Sequence, residues 1–126
     1  FISLHEDWDS TGFYLYEIQK RGCPSTANAI LNAAAAEIQV EPNSVIDDHD
    51  VREPGWIFHE PSADFPDQWP EAIFMAEIGT RVSYTLETPS SLPLEKRVAC
   101  HMLAVKTAVE EFLLTGGEAG GCNDEA

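Results

Sequence analysis

The sequence predicts an α/β domain in which helices flank a mostly parallel, mixed sheet. Three observations carry that expectation. Residues 82–86, Val-Ser-Tyr-Thr-Leu, alternate apolar and polar and are rich in β-formers. Residues 1–5, Phe-Ile-Ser-Leu-His, read as another short strand. Stretches with apolar residues at helical spacing lie between these strands and after them. Strand, helix and strand in that order imply βαβ units with right-handed crossovers. A chain of 126 residues suits one domain.

Taken in order, the first strand ends near His5, and Glu6 to Thr11 follow as a polar, acidic loop. Trp8 in that loop is expected to pack on the sheet or to floor a pocket. Gly12 permits a turn. Phe13 to Ile18 read as a strand closed by Lys20-Arg21-Gly22. Pro24 suits the first turn of a helix, where Ser25 and Thr26 can satisfy free amides. Ala27, Ile30, Leu31, Ala34 and Ile38 then recur at helical spacing, and Pro42-Asn43 marks the end.

Residues 41–71 hold nine acidic residues and one basic residue, Arg52. Five prolines there, from Pro42 to Pro70, prevent long regular elements. Val45-Ile46 and Trp56-Ile57-Phe58 are expected as short strands or a hairpin. Asp47-Asp48-His49-Asp50 has the composition of a metal cluster but lacks the spacing and glycine of a calcium loop, so a solvated acidic loop is expected. Pro70 to Ile78 reads as a short helix capped by Gly79, with Ile73, Phe74 and Ile78 facing the sheet. After Glu87, Pro89 and Pro93 stop the strand, and Ser90 or Ser91 caps a last helix. Its expected inner face is Leu94, Val98, His101, Val105, Ala108 and Phe112, widened by Met102 and Val109. His101 inside that stripe is read as a packed core histidine. Gly116-Gly117 ends the helix, and 116–126 reads as a flexible acidic tail.

Charge narrows the function. The net charge of −15, from 22 acidic and 7 basic residues, argues against nucleic acid and against anionic membrane surfaces. No apolar run approaches the ~20 residues of a membrane span, and no signal-peptide pattern occurs. Cys23, Cys100 and Cys122 form no CxxC pair, so neither a disulfide framework nor a cysteine zinc site is expected. Reduced thiols point to a cytoplasmic protein.

Two residues carry the expected chemistry. Glu87 stands where a strand gives way to a helix, the edge at which open α/β sheets bind ligands. A carboxylate facing a cleft there can act as a general base; the competing expectation is a solvated loop glutamate. His5 stands at the corresponding end of the first strand. If both strands share one parallel sheet, the two side chains emerge at the same edge.

Ser3-Leu4-His5-Glu6-Asp7, Gly12-Phe13-Tyr14-Leu15-Tyr16 and Ser83-Tyr84-Thr85-Leu86-Glu87 resemble the second half of the zinc carboxypeptidase catalytic domain, over residues 1–115. In that family one strand ends in a zinc-binding histidine, and another, about eighty residues later, ends in the catalytic glutamate. The resemblance implies a carboxypeptidase-like, incomplete fold and a zinc-dependent hydrolase. One zinc ion would be held by His5 with the remaining ligands upstream, and Glu87 would be the general base. It implies a peptide or acyl-amino-acid substrate cleaved next to a free carboxylate, and an upstream half of the same domain as partner. The family's upstream H-x-x-E motif is not found: three places after His5, His49, His59 and His101 stand Trp8, Arg52, Ser62 and Ala104. The family's mobile tyrosine has no counterpart between Tyr16 and Tyr84, so Trp56, His59 or Trp69 is expected in its space. Two other readings compete: an N-acyl-amino-acid deacylase of the succinylglutamate desuccinylase and aspartoacylase kind, and a non-catalytic binding domain on the same scaffold. The hydrolase readings require a His5 ring nitrogen and a Glu87 oxygen roughly 4–7 Å apart, converging on one water.

Overall fold

A computed structural model describes residues 1–19, 24–63, 65 and 67–116. Its elements in order are β1 (Ile2–Asp7), β2 (Tyr14–Gln19), α1 (Ala27–Ala34), β3 (Val45–Ile46), β4 (His49–Asp50), β5 (Trp56–Phe58), α2 (Glu71–Glu77), β6 (Val82–Pro89) and α3 (Leu94–Gly116). The main sheet has the order β1-β6-β2-β5. β1 runs parallel to β6 and β2 parallel to β5, while β2 and β6 are antiparallel, so the sheet is mixed and mostly parallel. Residues 20–23 and 117–126 lie outside the described residues, and with them the Lys20-Arg21-Gly22 closure, Cys23, Cys122 and the acidic tail.

The period of two along each strand sorts residues to two faces. Leu15, Tyr84 and Leu86 face α1 and α3 and join the main core with Phe13, Ile30, Leu31 and Ala104. Tyr14, Tyr16 and Ile18 face the other way. Tyr14 and Tyr16 pack with Ile46 and Ile57, and Ile18 packs with Ala72 and Ile73 of α2. β6 is inside the sheet and covered on both faces, which explains why it outruns the alternating stretch and carries Glu87 within the strand.

Helix 1 is shorter than its apolar spacing predicts. It begins at Ala27, whose amide donates to Ser25 Oγ (3.2 Å), and α-helical pairing gives way to i−3 bonds at Ala36 and Glu37. In α2, Gly79 takes φ +103, the left-handed cap expected of it. Ala72 and Ile73 are buried, but Phe74 and Ile78 are exposed, against expectation, because a two-turn helix can present only one narrow stripe.

The inner face of α3 is also displaced from the expected one. Cys100, Ala104 and Ala108 are buried, whereas Leu94, Val98, Met102, Val109 and Phe112 are exposed. The small residues match Ala27 and Ala34 of α1 in the same core, and Cys100 Sγ lies 3.8 Å from Ala34 O. Two helices that meet through alanines approach closely, so the small face wins over the larger apolar one.

Between β1 and β2 the chain is clamped by Glu41. This fully buried carboxylate accepts hydrogen bonds from Thr11 N (2.8 Å), Gly12 N (2.9 Å) and Thr11 Oγ1 (3.2 Å). Gly12 is there for close approach, since a Cβ would meet Glu41 N at 2.5 Å. β3 and β4 form a separate hairpin whose two linking residues, Asp47 and Asp48, have φ of 50° and 61°, the left-handed pair of a two-residue turn.

Candidate active site

His5 and Glu87 are direct partners in the register of β1 and β6. Both side chains lie on the sheet face that carries α2 and the β3–β4 hairpin. His5 Nδ1 is 3.7 Å from Glu87 Oε1. The two are thus brought together, slightly closer than the 4–7 Å expected of groups sharing one water. The imidazole is half exposed, and Glu87 keeps only 7% of its surface. Burial raises the Glu87 carboxyl to about 7, the nearby His5 works against that shift, and Asp7 and Asp47 add to it.

A second carboxylate completes the setting of His5. Glu71, the first residue of α2, places Oε1 3.3 Å from His5 Nε2 and accepts a short hydrogen bond from Ser3 Oγ. The Ser3 bond, then the His5 bond, holds the Glu71 carboxyl below the usual carboxylate range. His5 is therefore bracketed, Glu71 on one nitrogen and Glu87 on the other. A carboxylate on the second nitrogen is the usual means of orienting a metal-ligating or proton-transferring imidazole.

From behind, α3 steadies the same strand ends. His101 Nε2 lies 3.2 Å from the His5 carbonyl oxygen, to which it can donate, and 3.1 Å from Thr88 Oγ1. Burial lowers the pKa of its half-buried imidazole. Its Nδ1 is buried with no hydrogen-bond partner among the described residues, as a neutral Nε2–H tautomer allows. The core reading of His101 holds in part: it packs behind the site and braces the backbone of His5.

The cleft before His5 and Glu87 has a volume of about 590 Å³. Tyr16 OH donates to Asp47 Oδ2 (2.6 Å), and Tyr16 meets His49 edge to face at 5.7 Å. His49 in turn lies 5.3 Å from His59 between ring centroids. Asp47 and His49, expected in a solvated acidic loop, thus line the cleft together with His59. Tyr14 OH donates to Asp7 Oδ2 (2.7 Å), and burial raises the pKa of both tyrosines. Of the expected substitutes for a mobile phenol, His59 lines the cleft. Trp56 is buried in the main core beneath Arg52, and Trp69 is exposed outside the lining. Trp8 is 84% exposed and neither floors a pocket nor packs on the sheet. Sequence reasoning did not assign Glu71, Tyr16 or Asp7 to the site. Tyr16 and Asp7 share a sheet face with Ser3, His5 and Glu87, and Glu71 reaches that face from α2, which becomes visible only once strand order is known.

Among the described residues no group of three or more histidine, cysteine, aspartate or glutamate side chains is placed to hold a metal ion. His5 offers one imidazole donor, with Glu71 as its carboxylate support; the donor set of a catalytic zinc, usually three protein ligands, is not met here. No helix among the described residues is long and apolar enough to cross a membrane.

No protein-family profile matches the chain, and no curated protein matches it. Solved structures do. One described as a "putative metallopeptidase" from Shewanella amazonensis SB2B superposes with a TM-score of 0.70 at 24% identity, over 87% of this chain and 39% of its own. Another so described, from Shewanella denitrificans OS217, gives 0.70 at 20% identity, over 87% and 40%. A third, from Shewanella baltica OS155, gives 0.66 at 20%, over 83% and 37%. The chain therefore spans about two-fifths of the length of these structures and shares their fold over that span.

Proposed function

We propose that this chain forms part of a zinc-dependent hydrolase that cleaves a peptide or amide bond next to a free carboxylate. The observation that carries this reading is the register of His5 against Glu87 on adjacent parallel strands, opening into one cleft. Its fold relatives, each described as a "putative metallopeptidase", support it. In this reading His5 is one metal ligand, oriented by Glu71 and by the His101 hydrogen bond to its carbonyl. The other ligands belong to an upstream half of the same domain. Zinc, when bound, supplies the Lewis acidity that polarises a scissile carbonyl.

The chain's own residues provide the proton traffic. Glu87, buried beside His5 and facing the cleft, would take a proton from water and return it to the leaving nitrogen. Glu87 touches no lysine or arginine in the described structure, so the carboxylate is available for that exchange.

Metal analysis and turnover measured together test these roles, in protein that includes the upstream half. Glu87→Gln is expected to retain zinc and lose activity by at least about 100-fold, the scale of general-base catalysis. His5→Ala is expected to lose zinc. Zinc lost from the Glu87 variant, or full activity in it, would overturn the assignment.

A further inference from the structure

Resting on the hydrolase reading, which puts further metal ligands in an upstream half of the domain, we propose that the outer edge of β1 and the apolar flank of α3 form one docking surface for that half. A strand of the upstream half pairs along β1, and one of its helices lies beside α3. β1 is an edge strand of the sheet. Phe1 O accepts from Tyr84 N and Asp7 O from Ser90 N, so the odd-numbered residues of this parallel pair bond inward to β6. The amides and carbonyls of Ile2, Leu4 and Glu6 therefore point outward, and no strand meets them among the described residues. Ile2-Ser3-Leu4 carries no proline or charged side chain to blunt that edge.

The layer behind β1 is open in the same direction. Ile2 and Leu4 lie on the sheet face of α3, yet Leu4 is 55% exposed. α3 packs mainly on α1 and β6 and leaves the outer side of β1 bare. Val98, Met102, Val105, Val109 and Phe112 follow one another at steps of four and three, the spacing of a helix-packing seam. All but Val105 are exposed, Met102 at 67%. The seam runs beside the buried Cys100, Ala104 and Ala108, on the flank toward β1, where Ile2, Val82, Val109, Phe112 and Leu113 line one cavity of about 460 Å³. The Glu6–Arg97 ion pair ties β1 to α3 at the other end. This flank is the face that the periodicity of α3 marks as inner, so its exposure is a conflict between sequence and packing that a partner removes.

Two observations select the occupant. The chain spans about two-fifths of its fold relatives, so most of that fold lies outside it. His5, the proposed metal ligand, also stands on this edge strand, with β6 and β2 between it and the opposite edge at β5. Only a segment paired outside β1 ends next to His5 within the sheet. A second copy of this chain would cover the same surface, but its described residues hold no group of three or more ligands to add.

Hydrogen exchange and mild peroxide oxidation of the metal-free protein that includes the upstream half test this. The Ile2, Leu4 and Glu6 amides are expected to exchange at least about 100-fold more slowly than unpaired amides. Met102 is expected to oxidise at least about tenfold more slowly than Met75, reversing the order that their exposures in this chain give. Both protections should persist on about tenfold dilution. Fast exchange at the three amides, Met102 oxidised before Met75, or protection that fades on dilution, as a second copy would give, would each overturn the proposal. Neither readout needs metal or turnover, so the two ideas fail separately. Protection at both places in a protein that hydrolyses nothing keeps the interface and removes the hydrolase; hydrolysis with Met102 exposed does the reverse.

Discussion

At Glu87, burial and function pull against each other. A carboxyl raised from 4.5 to about 7 stabilises the fold while protonated; that contribution is whole below about pH 4.5 and is lost as pH rises through 7. Above neutrality the buried carboxylate therefore weakens the fold. Metal-free Glu87→Gln is expected to be more stable than the parent at pH 8 by on the order of 1–2 kcal/mol, a figure reduced for solvent at the cleft mouth. At pH 4.5 the two should be nearly equal. Urea midpoints at both pH values check this, and a parent as stable as the variant at pH 8 would contradict the buried-acid account. Cys100 shows burial without such tension. Its thiol is pushed up to about 12 by burial, so it stays protonated and serves packing between α1 and α3.

Among the elements, the clamp between the loop after β1 and the segment at Glu41 fixes how the chain enters β2. Gly12 and Glu41 approach so closely that a methyl group at Gly12 has only backbone to meet, at 2.5 Å from Glu41 N. Backbone cannot swing aside as a flexible side chain does. Gly12→Ala is expected to cost about 2–3 kcal/mol, the upper part of the usual range for overpacking. Chemical denaturation reads that loss directly; a change under ~0.5 kcal/mol would mean that the loop relaxes freely. The same clamp explains why a fully buried glutamate is tolerated: three donors from Thr11 and Gly12 replace its water.

At the scale of the whole molecule, the chain spans about two-fifths of the length of its fold relatives. The sheet, its two covering layers and the cleft lie within the described residues, and among those residues no group of three or more candidate ligands is placed to hold a metal ion. The 126-residue chain by itself is accordingly expected to bind zinc with a Kd weaker than about 1 µM and to hydrolyse no peptide, because catalytic zinc usually takes three protein ligands. Calorimetric zinc titration with a turnover assay on the same sample checks both. Submicromolar 1:1 binding with activity would move the metal site elsewhere, with the Asp47–Asp50 turn as first candidate.

Local pattern in the sequence was enough for the strands holding His5 and Glu87, for α2 with its Gly79 cap, and for the place of α3, although Pro93 rather than Ser90 or Ser91 stands before its first turn. These follow from side-chain periodicity and turn chemistry, which act over a few residues. Tertiary structure alone decided which face of α3 is buried, because Ala27 and Ala34 on α1 select the small residues that can come close to them. It also decided that Glu71, Tyr16 and Asp47 join the cleft. They come from three different elements, and their meeting depends on the strand order β1-β6-β2-β5, a non-local pairing that no local pattern encodes.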